Sequence, residues 1–323
     1  MYTEGNAEER KSFEQDLLAS LQAHGFAKLI NYGMHKEYVD TLMMWCRSFF
    51  TLNQSTKDKI RNQKGPKPQR GFSGVGDENL DTFALDGTES SWIDVKEHLD
   101  LGPRNDTMFP NQWPPETQAN GLIGFRRFME SYFDVASNLS RQLLSILEDA
   151  LEVNHGTLTK LCDRHDNELR LNHYPAISVE DITSGRVRRS GAHTDFGTLT
   201  LLFQDNSGGL QIEDRSSKSP QVKFVSVDAK DPYQLVINVA DTLQRWTNDI
   251  IPAGLHQVTL PESSQGDDRG MLKDRFSVVF FQKGNRDESV GSMPDFVSEK
   301  KPARYEHLSA IEYHKRRHTV IYG

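Results

Sequence analysis

The sequence predicts an α+β fold in which a helical N-terminal region packs on a C-terminal β core. Two observations carry this. Apolar residues recur at helical spacing as far as about residue 168, and at a period of two beyond it. The helical part is itself interrupted by residues 64–118. There Gly65-Pro66-Lys67-Pro68, Gly71, Gly74, Gly76, Pro103, Pro110, Pro114 and Pro115 break every regular pattern. The expected organisation is one integrated domain: a helical region over 1–168 that includes the loop-rich stretch 64–118, a β core over 169–290, and a helical extension over 291–323.

In residues 7–23, Phe13, Leu17, Leu18 and Leu21 lie at helical spacing, and Gly25 stands where a C-terminal cap belongs. Residues 26–32 read as a short strand closed by Gly33. Tyr38, Leu42, Trp45 and Phe49 mark a second helix, and Ser55-Thr56-Lys57-Asp58 reads as an N-cap with an acidic first turn. Loops as long as 64–118 are usually functional or disordered. A long helix over 121–151 presents Phe125, Phe128, Tyr132, Leu139, Leu143 and Leu147 on one side, a stripe suited to core packing. Residues 199–203, 235–239 and 276–281 are rich in β-branched and aromatic residues and bounded by turn signals. Many short strands of this kind predict a closed or sandwiched β architecture.

Composition narrows the function classes. Hydrophobic residues make up 36% and charged residues 26%, ordinary for a globular protein. A net charge of −8 argues against a general nucleic-acid binder, which needs a basic face. Cys46 and Cys162 form no disulfide framework and no Cys-x-x-Cys pair, so two free thiols in a reducing compartment are expected. The polar, acidic start Met1-Tyr2-Thr3-Glu4-Gly5 has no signal-peptide pattern, and no stretch approaches a membrane span. A cytoplasmic protein that binds neither membrane nor nucleic acid is the expectation. Oligomeric state is left open.

His193-Thr194-Asp195 is the centre of the functional reading. On a strand, residues two apart face the same way, so an imidazole and a carboxylate aim at one point. Two imidazoles and one carboxylate on a triangular face leave coordination positions open, which suits iron(II) oxygen chemistry. A lone His-x-Asp is weak evidence, because a surface strand can carry it idly. The third ligand has to come from elsewhere. His256, in Ala253-Gly254-Leu255-His256-Gln257-Val258, stands just before a plausible strand. It is one of 11 histidines, and His307, His314 and His318 at the charged C-terminal end read as solvated surface.

Arg275-Phe276-Ser277 opens a strand with guanidinium and hydroxyl on one side and Phe276, Val278 and Phe280 on the other. An inward Arg there is costly unless it meets an anion, and it matches a carboxylate through two parallel hydrogen bonds. A salt bridge to an internal Asp or Glu is the alternative. Asn172 and Tyr174, again two apart, add carboxylate donors on a third strand.

In order, Asn172-x-Tyr174-Pro175, His193-x-Asp195, Asn238-Val239-Ala240-Asp241, His256 and Arg275-x-Ser277 resemble the isopenicillin-N-synthase-like branch of iron(II)/2-oxoglutarate oxygenases. Residues 191–210, with Leu-Leu-Phe-Gln-Asp and Gly-Gly-Leu-Gln, look especially like fungal members such as thymine 7-hydroxylase. The likeness covers about residues 20–290. It implies a double-stranded β-helix (jelly-roll) core with flanking N-terminal helices. It also implies iron(II) on His193, Asp195 and His256, with 2-oxoglutarate and O₂ as co-substrates. The distal carboxylate of 2-oxoglutarate would meet Arg275 and Ser277, and its other carboxylate would lie near Asn172 and Tyr174. The implied reaction oxidises, most often hydroxylates, a C–H bond of a small organic molecule of fungal secondary metabolism, releasing succinate and CO₂.

The chain departs from relatives in three places. It begins directly before its first helix, where they open with an extended Ile-Pro-x-Ile-Asp segment. It has Gly254, Leu255 and Gln257 around the distal His, where they often carry Ser and Arg. A long polar loop over 262–270 precedes the Arg275 strand.

Candidate substrate contacts are Phe72, Phe83 and Trp92 in the loop-rich region, Phe196 and Phe203 near the metal strands, and Arg188 for an acidic or phenolic substrate. Core packing competes for each aromatic, and a solvated loop for Arg188. Two other functions stay open. One is an oxidase of the same scaffold that does not use 2-oxoglutarate; the other is a non-redox zinc protein, since two His and one Asp also suit zinc. Succinate formation tests the first, and metal analysis with a test for O₂ dependence tests the second.

Overall fold

The computed structural model describes residues 4–63, 65, 67–78, 92–164, 166–228, 230–264 and 270–322. Helix α1 (Ala7–His24) starts at a reciprocal cap: the Asn6 side chain accepts from the Glu9 N–H at 3.0 Å and the Glu9 carboxylate accepts from the Asn6 N–H at 2.8 Å. It stops at Gly25, whose φ of 74° lets its N–H reach the Leu21 carbonyl at 2.8 Å. Helix α2 (Lys36–Phe50) buries Val39, Leu42, Met43, Cys46, Phe49 and Phe50, one apolar stripe. Helix α3 (Gln54–Asp58) is capped by Asn53, not Ser55. The Asn53 side chain accepts from the Thr56 N–H at 2.9 Å, and the Ser55 hydroxyl donates back to Asn53 at 2.8 Å.

Helix α4 (Phe125–Ala150) begins later than the apolar pattern predicts. Gly121 and Gly124 take left-handed backbone, with φ of 68° and 92°, and hold the helix off behind the single turn Gln118–Asn120. Short helices α5 (Val179–Thr183) and α6 (Asp241–Trp246) and the C-terminal α7 (Ala310–Tyr322) follow.

An antiparallel seven-stranded sheet runs in the order Phe26–Leu29, Leu235–Val239, Leu199–Gln204, Arg275–Phe281, Glu168–Tyr174, Glu97–Leu101, Gly71–Ser73. The last two strands correct the expectation for 64–118. That stretch is more than loop: Glu97–Leu101 is buried throughout. Its prolines fall outside the strands and mask them in the sequence pattern.

Because side chains alternate, the sheet has two unlike faces. Leu171, Leu199, Leu201, Phe203, Ile237, Val278 and Phe280 form one, and pack in the same core as α1, α2 and α4. Each such side chain contributes about 1.5–3 kcal/mol on full burial. The opposite face meets a four-stranded sheet of Phe224–Ser226, Leu210–Glu213, His256–Val258 and Ser190–His193. Between them lies a small apolar cluster of Phe26, Tyr174, Leu202, Leu210, Val236 and Val258. The helical side therefore fixes the sheet, and the inter-sheet side is left for polar chemistry. Cys46 and Cys162 are buried and free. Among the described residues no helix is long and apolar enough to cross a membrane.

Candidate metal centre

The two sheets flank an open cavity of about 560 Å³, the space at its mouth included. His193 and His256 sit opposite each other on adjacent antiparallel strands, with ring centroids 4.3 Å apart. Each Nδ1 faces a carbonyl, Gly191 O at 2.8 Å and Gly254 O at 3.0 Å. A carbonyl only accepts, so each Nδ1 carries the hydrogen and each Nε2 keeps its lone pair.

Asp195 lies beyond the last paired residue of its strand, so strand alternation alone does not aim it. Its carbonyl accepts from the Asp241 N–H at 2.8 Å. Its Oδ2 accepts from the Thr200 hydroxyl at 2.6 Å and from Asn238 Nδ2 at 2.8 Å. Thr200 and Asn238 are direct cross-strand partners, a polar rung within two apolar strands. Asp195 Oδ1 then stands 3.8 Å from His193 Nε2 and 4.0 Å from His256 Nε2. The three donor atoms lie within 4.8 Å of one another, a spacing one ion can bridge.

Burial, with His256 alongside, pushes the His193 pKa down to about 3. Burial would raise the Asp195 carboxyl, but the two imidazoles and the bonds from Asn238 and Thr200 outweigh it and hold it below its ordinary range. A neutral His193 imidazole beside an ionised Asp195 carboxylate is the protonation pattern that metal ligation requires.

Gly254 has a packing reason. A Cβ there would come within 2.4 Å of the Phe26 ring, and one at Gly25 within 2.6 Å of Gly254 Cα. The bare backbones let the two segments close, and Phe26 meets the His256 ring edge-on at 5.7 Å. A Ser at 254 would not fit this arrangement.

At the cavity's other end, Arg275 pairs across the strands with Tyr174, and Ser277 with Asn172. Arg275 is 1% exposed. Its Nε donates to the Gly208 carbonyl at 3.0 Å and its Nη2 to Gln204 Oε1 at 2.7 Å, while the guanidinium lies 4.7 Å over the Tyr174 ring. Both acceptors are neutral. Nη1 is buried with no hydrogen-bond partner among the described residues. Asn172 Nδ2 is 3.3 Å from the Ser277 hydroxyl. A buried, uncompensated guanidinium beside a hydroxyl fits a carboxylate ligand.

A second cavity of about 500 Å³ shares Arg170, His193, Asp195 and Phe281 with the first and adds Phe196, Glu168, Lys283, His314 and His318. Of the expected substrate contacts, Phe196 is in its wall. Phe72 and Phe203 are not: both are fully buried in the helical-side core, Phe72 against Phe49 at 6.3 Å and Phe203 against Tyr32 at 5.6 Å. Trp92 and Arg188 line neither cavity. The parallel pairing of Ile93–Asp94 with Val187–Arg188 brings them together, and the guanidinium stacks 3.9 Å over the indole. Phe83 lies outside the described residues.

His314 and His318 correct the surface reading. They are 6% and 5% exposed and stack at 4.1 Å, whereas His307 is exposed as expected. One turn apart, they share a face of α7. Asp241 anchors that helix through the Tyr313 hydroxyl at 2.7 Å and Arg317 at 3.3 Å. The same residue's N–H holds the Asp195 carbonyl, so Asp241 joins the ligand loop to α7. Their four-residue spacing was the available signal; charged neighbours concealed it.

Comparison with known proteins gives the family. Residues 165–284 match the 2OG-Fe(II) oxygenase superfamily, and residues 2–116 match the N-terminal region described as non-haem dioxygenase in morphine synthesis. The chain is 42% identical to the 2-oxoglutarate-dependent dioxygenase ecdK of Aspergillus rugulosus, over 98% of this chain and 96% of the relative. It is 39% identical to the proline hydroxylase buaE of Petromyces alliaceus, over 97% and 94% respectively. A full-length Neurospora crassa protein, solved in complex with alpha-KG and thymine, superposes with a TM-score of 0.85 at 27% identity, covering 98% of this chain and 94% of that one. The chain thus belongs to the 2OG-Fe(II) oxygenase superfamily. It is a non-haem iron, 2-oxoglutarate-dependent dioxygenase, with iron(II) as cofactor and 2-oxoglutarate and O₂ as co-substrates.

Proposed function

We propose that the protein hydroxylates a C–H bond of a small organic molecule: substrate, O₂ and 2-oxoglutarate become hydroxylated product, succinate and CO₂. One observation carries the reading. A His/Asp/His donor set and a buried guanidinium whose Nη1 has no hydrogen-bond partner among the described residues face one cavity between the sheets. In this reading His193 Nε2, Asp195 Oδ1 and His256 Nε2 would hold iron(II). Bound together, metal and 2-oxoglutarate supply the O₂ activation.

The chain's own residues bind and orient. Arg275 Nη1 and the Ser277 hydroxyl receive the distal carboxylate, and Asn172 and Tyr174 lie beside the rest of the co-substrate. Thr200 and Asn238 fix the Asp195 carboxylate so that Oδ1 alone faces the imidazoles. The two facing sheets are read as a jelly-roll core flanked by α1 to α4, one integrated catalytic domain. The named relatives are fungal, which supports a role in secondary metabolism.

The test is anaerobic titration with iron(II) and 2-oxoglutarate, then O₂ with a panel of candidate substrates. Substrate-stimulated succinate release that needs both iron and 2-oxoglutarate supports the reading. Turnover without 2-oxoglutarate would favour an oxidase of the same fold.

A further inference from the structure

The second cavity looks highly charged, but its charges answer one another. Glu168 is bound by Lys283 and by Arg70 Nη1 at 2.8 Å. Glu78 meets Lys96 at 2.6 Å and Arg170 at 3.1 Å. A charged substrate would have to break one of these buried pairs, which leaves an uncompensated charge behind.

His314 is different. Its Nδ1 lies 3.2 Å from Lys283 Nζ. An ammonium only donates, so Nδ1 is the acceptor and Nε2 carries the hydrogen. That Nε2–H is buried and has no hydrogen-bond partner among the described residues. Burial and the adjacent Lys283 also hold His314 well below the ordinary imidazole pKa, so it stays neutral near pH 7. An unanswered buried donor in a cavity wall is unfavourable until an acceptor meets it. Beside it, the His318 ring at 4.1 Å and the Phe196 ring at 6.0 Å make an aromatic wall suited to a flat group.

We propose that the substrate is an uncharged molecule that presents a carbonyl or amide oxygen to His314 Nε2–H. This rests on the reading that the cavity beside His193 and Asp195 takes the substrate.

Three ring probes of similar size test it on the iron(II)- and 2-oxoglutarate-loaded protein, without O₂: 2-piperidinone as neutral amide, piperidine as cation, cyclohexanecarboxylate as anion. Binding is read by ligand-observed NMR, and 2-oxoglutarate affinity is measured separately. The amide should bind about tenfold more tightly than either charged ring, His314→Phe should lose about five- to tenfold of that binding, and His314→Gln, which keeps a donor, should retain most of it. Affinity for 2-oxoglutarate should stay unchanged in both variants. Equal binding of the three rings, preference for a charged one, binding of none, or full amide binding by His314→Phe overturns the proposal. The wild-type preference needs no variant to fold. If wild type fails to bind 2-oxoglutarate, the proposed function itself fails; if it binds 2-oxoglutarate and shows no amide preference, only this inference does.

Discussion

The two cavities that share His193 and Asp195 are built in opposite ways. The Arg275 end is made of paired strands in fixed register, where Tyr174, Asn172, Ser277 and Gln204 meet as cross-strand neighbours. The His314 end is walled by the C-terminal helix α7, docked through Tyr313 and Arg317 onto Asp241 at the start of α6. Backbone hydrogen bonding sets the first geometry; a few side-chain contacts set the second. On the proposed function, that division of labour makes a fixed co-substrate site and a more easily altered substrate site.

The largest expected effect is at the shared wall. Asp195→Ala should lower substrate-stimulated succinate release by on the order of 100-fold or more, with loss of iron(II) binding. Unaffected turnover would remove that ligand from the account. Phe72→Ala should instead cost about 3–5 kcal/mol of stability, read by urea denaturation, because it empties a filled core site. Phe196→Ala should mainly shift substrate KM, with little change in 2-oxoglutarate affinity; equal effects on both would erase the distinction between the two ends.

Asn238→Ala frees one side of the Asp195 carboxylate. It should weaken iron(II) by about tenfold while the protein stays folded. A further effect is on pH dependence. Burial lowers His193, with His256 adding to it, to about 3, and lowers His318, against the pull of Glu168, to about 4, from an ordinary value of 6.5. Below pH 6.5 the unfolded chain takes up protons that the native state refuses. Stability present above that pH is therefore lost as pH falls towards these values, at about 1.4 kcal/mol per unit for each fully responding group. Denaturation of metal-free protein at pH 7 and pH 5 checks the sign.

The sequence was most legible where chemistry rode on local periodicity. Asn172/Tyr174 and Arg275/Ser277 each read as residues two apart, and the strands place them so. Gly25 was visible as a cap because only its own backbone was needed. Legibility failed where the determining partner was distant. Phe72 and Phe203 look like any loop or strand aromatic until the helices close over them. The strand Glu97–Leu101 was hidden among prolines that lie outside it. His314 and His318 were lost in a run of Lys and Arg, although their spacing puts them on one helical face. His256 came from family order rather than geometry, and only the strand pairing explains why it meets His193.

The most direct test of the central claim is 2-oxoglutarate binding to the iron(II)-loaded protein, wild type against Arg275→Gln, measured without O₂. A lost charge-assisted contact predicts weakening of about 10- to 100-fold in the variant, with iron(II) affinity unchanged. Equal affinity in the two proteins would contradict the assignment of Arg275 as the carboxylate anchor, and with it the proposed seating of the co-substrate.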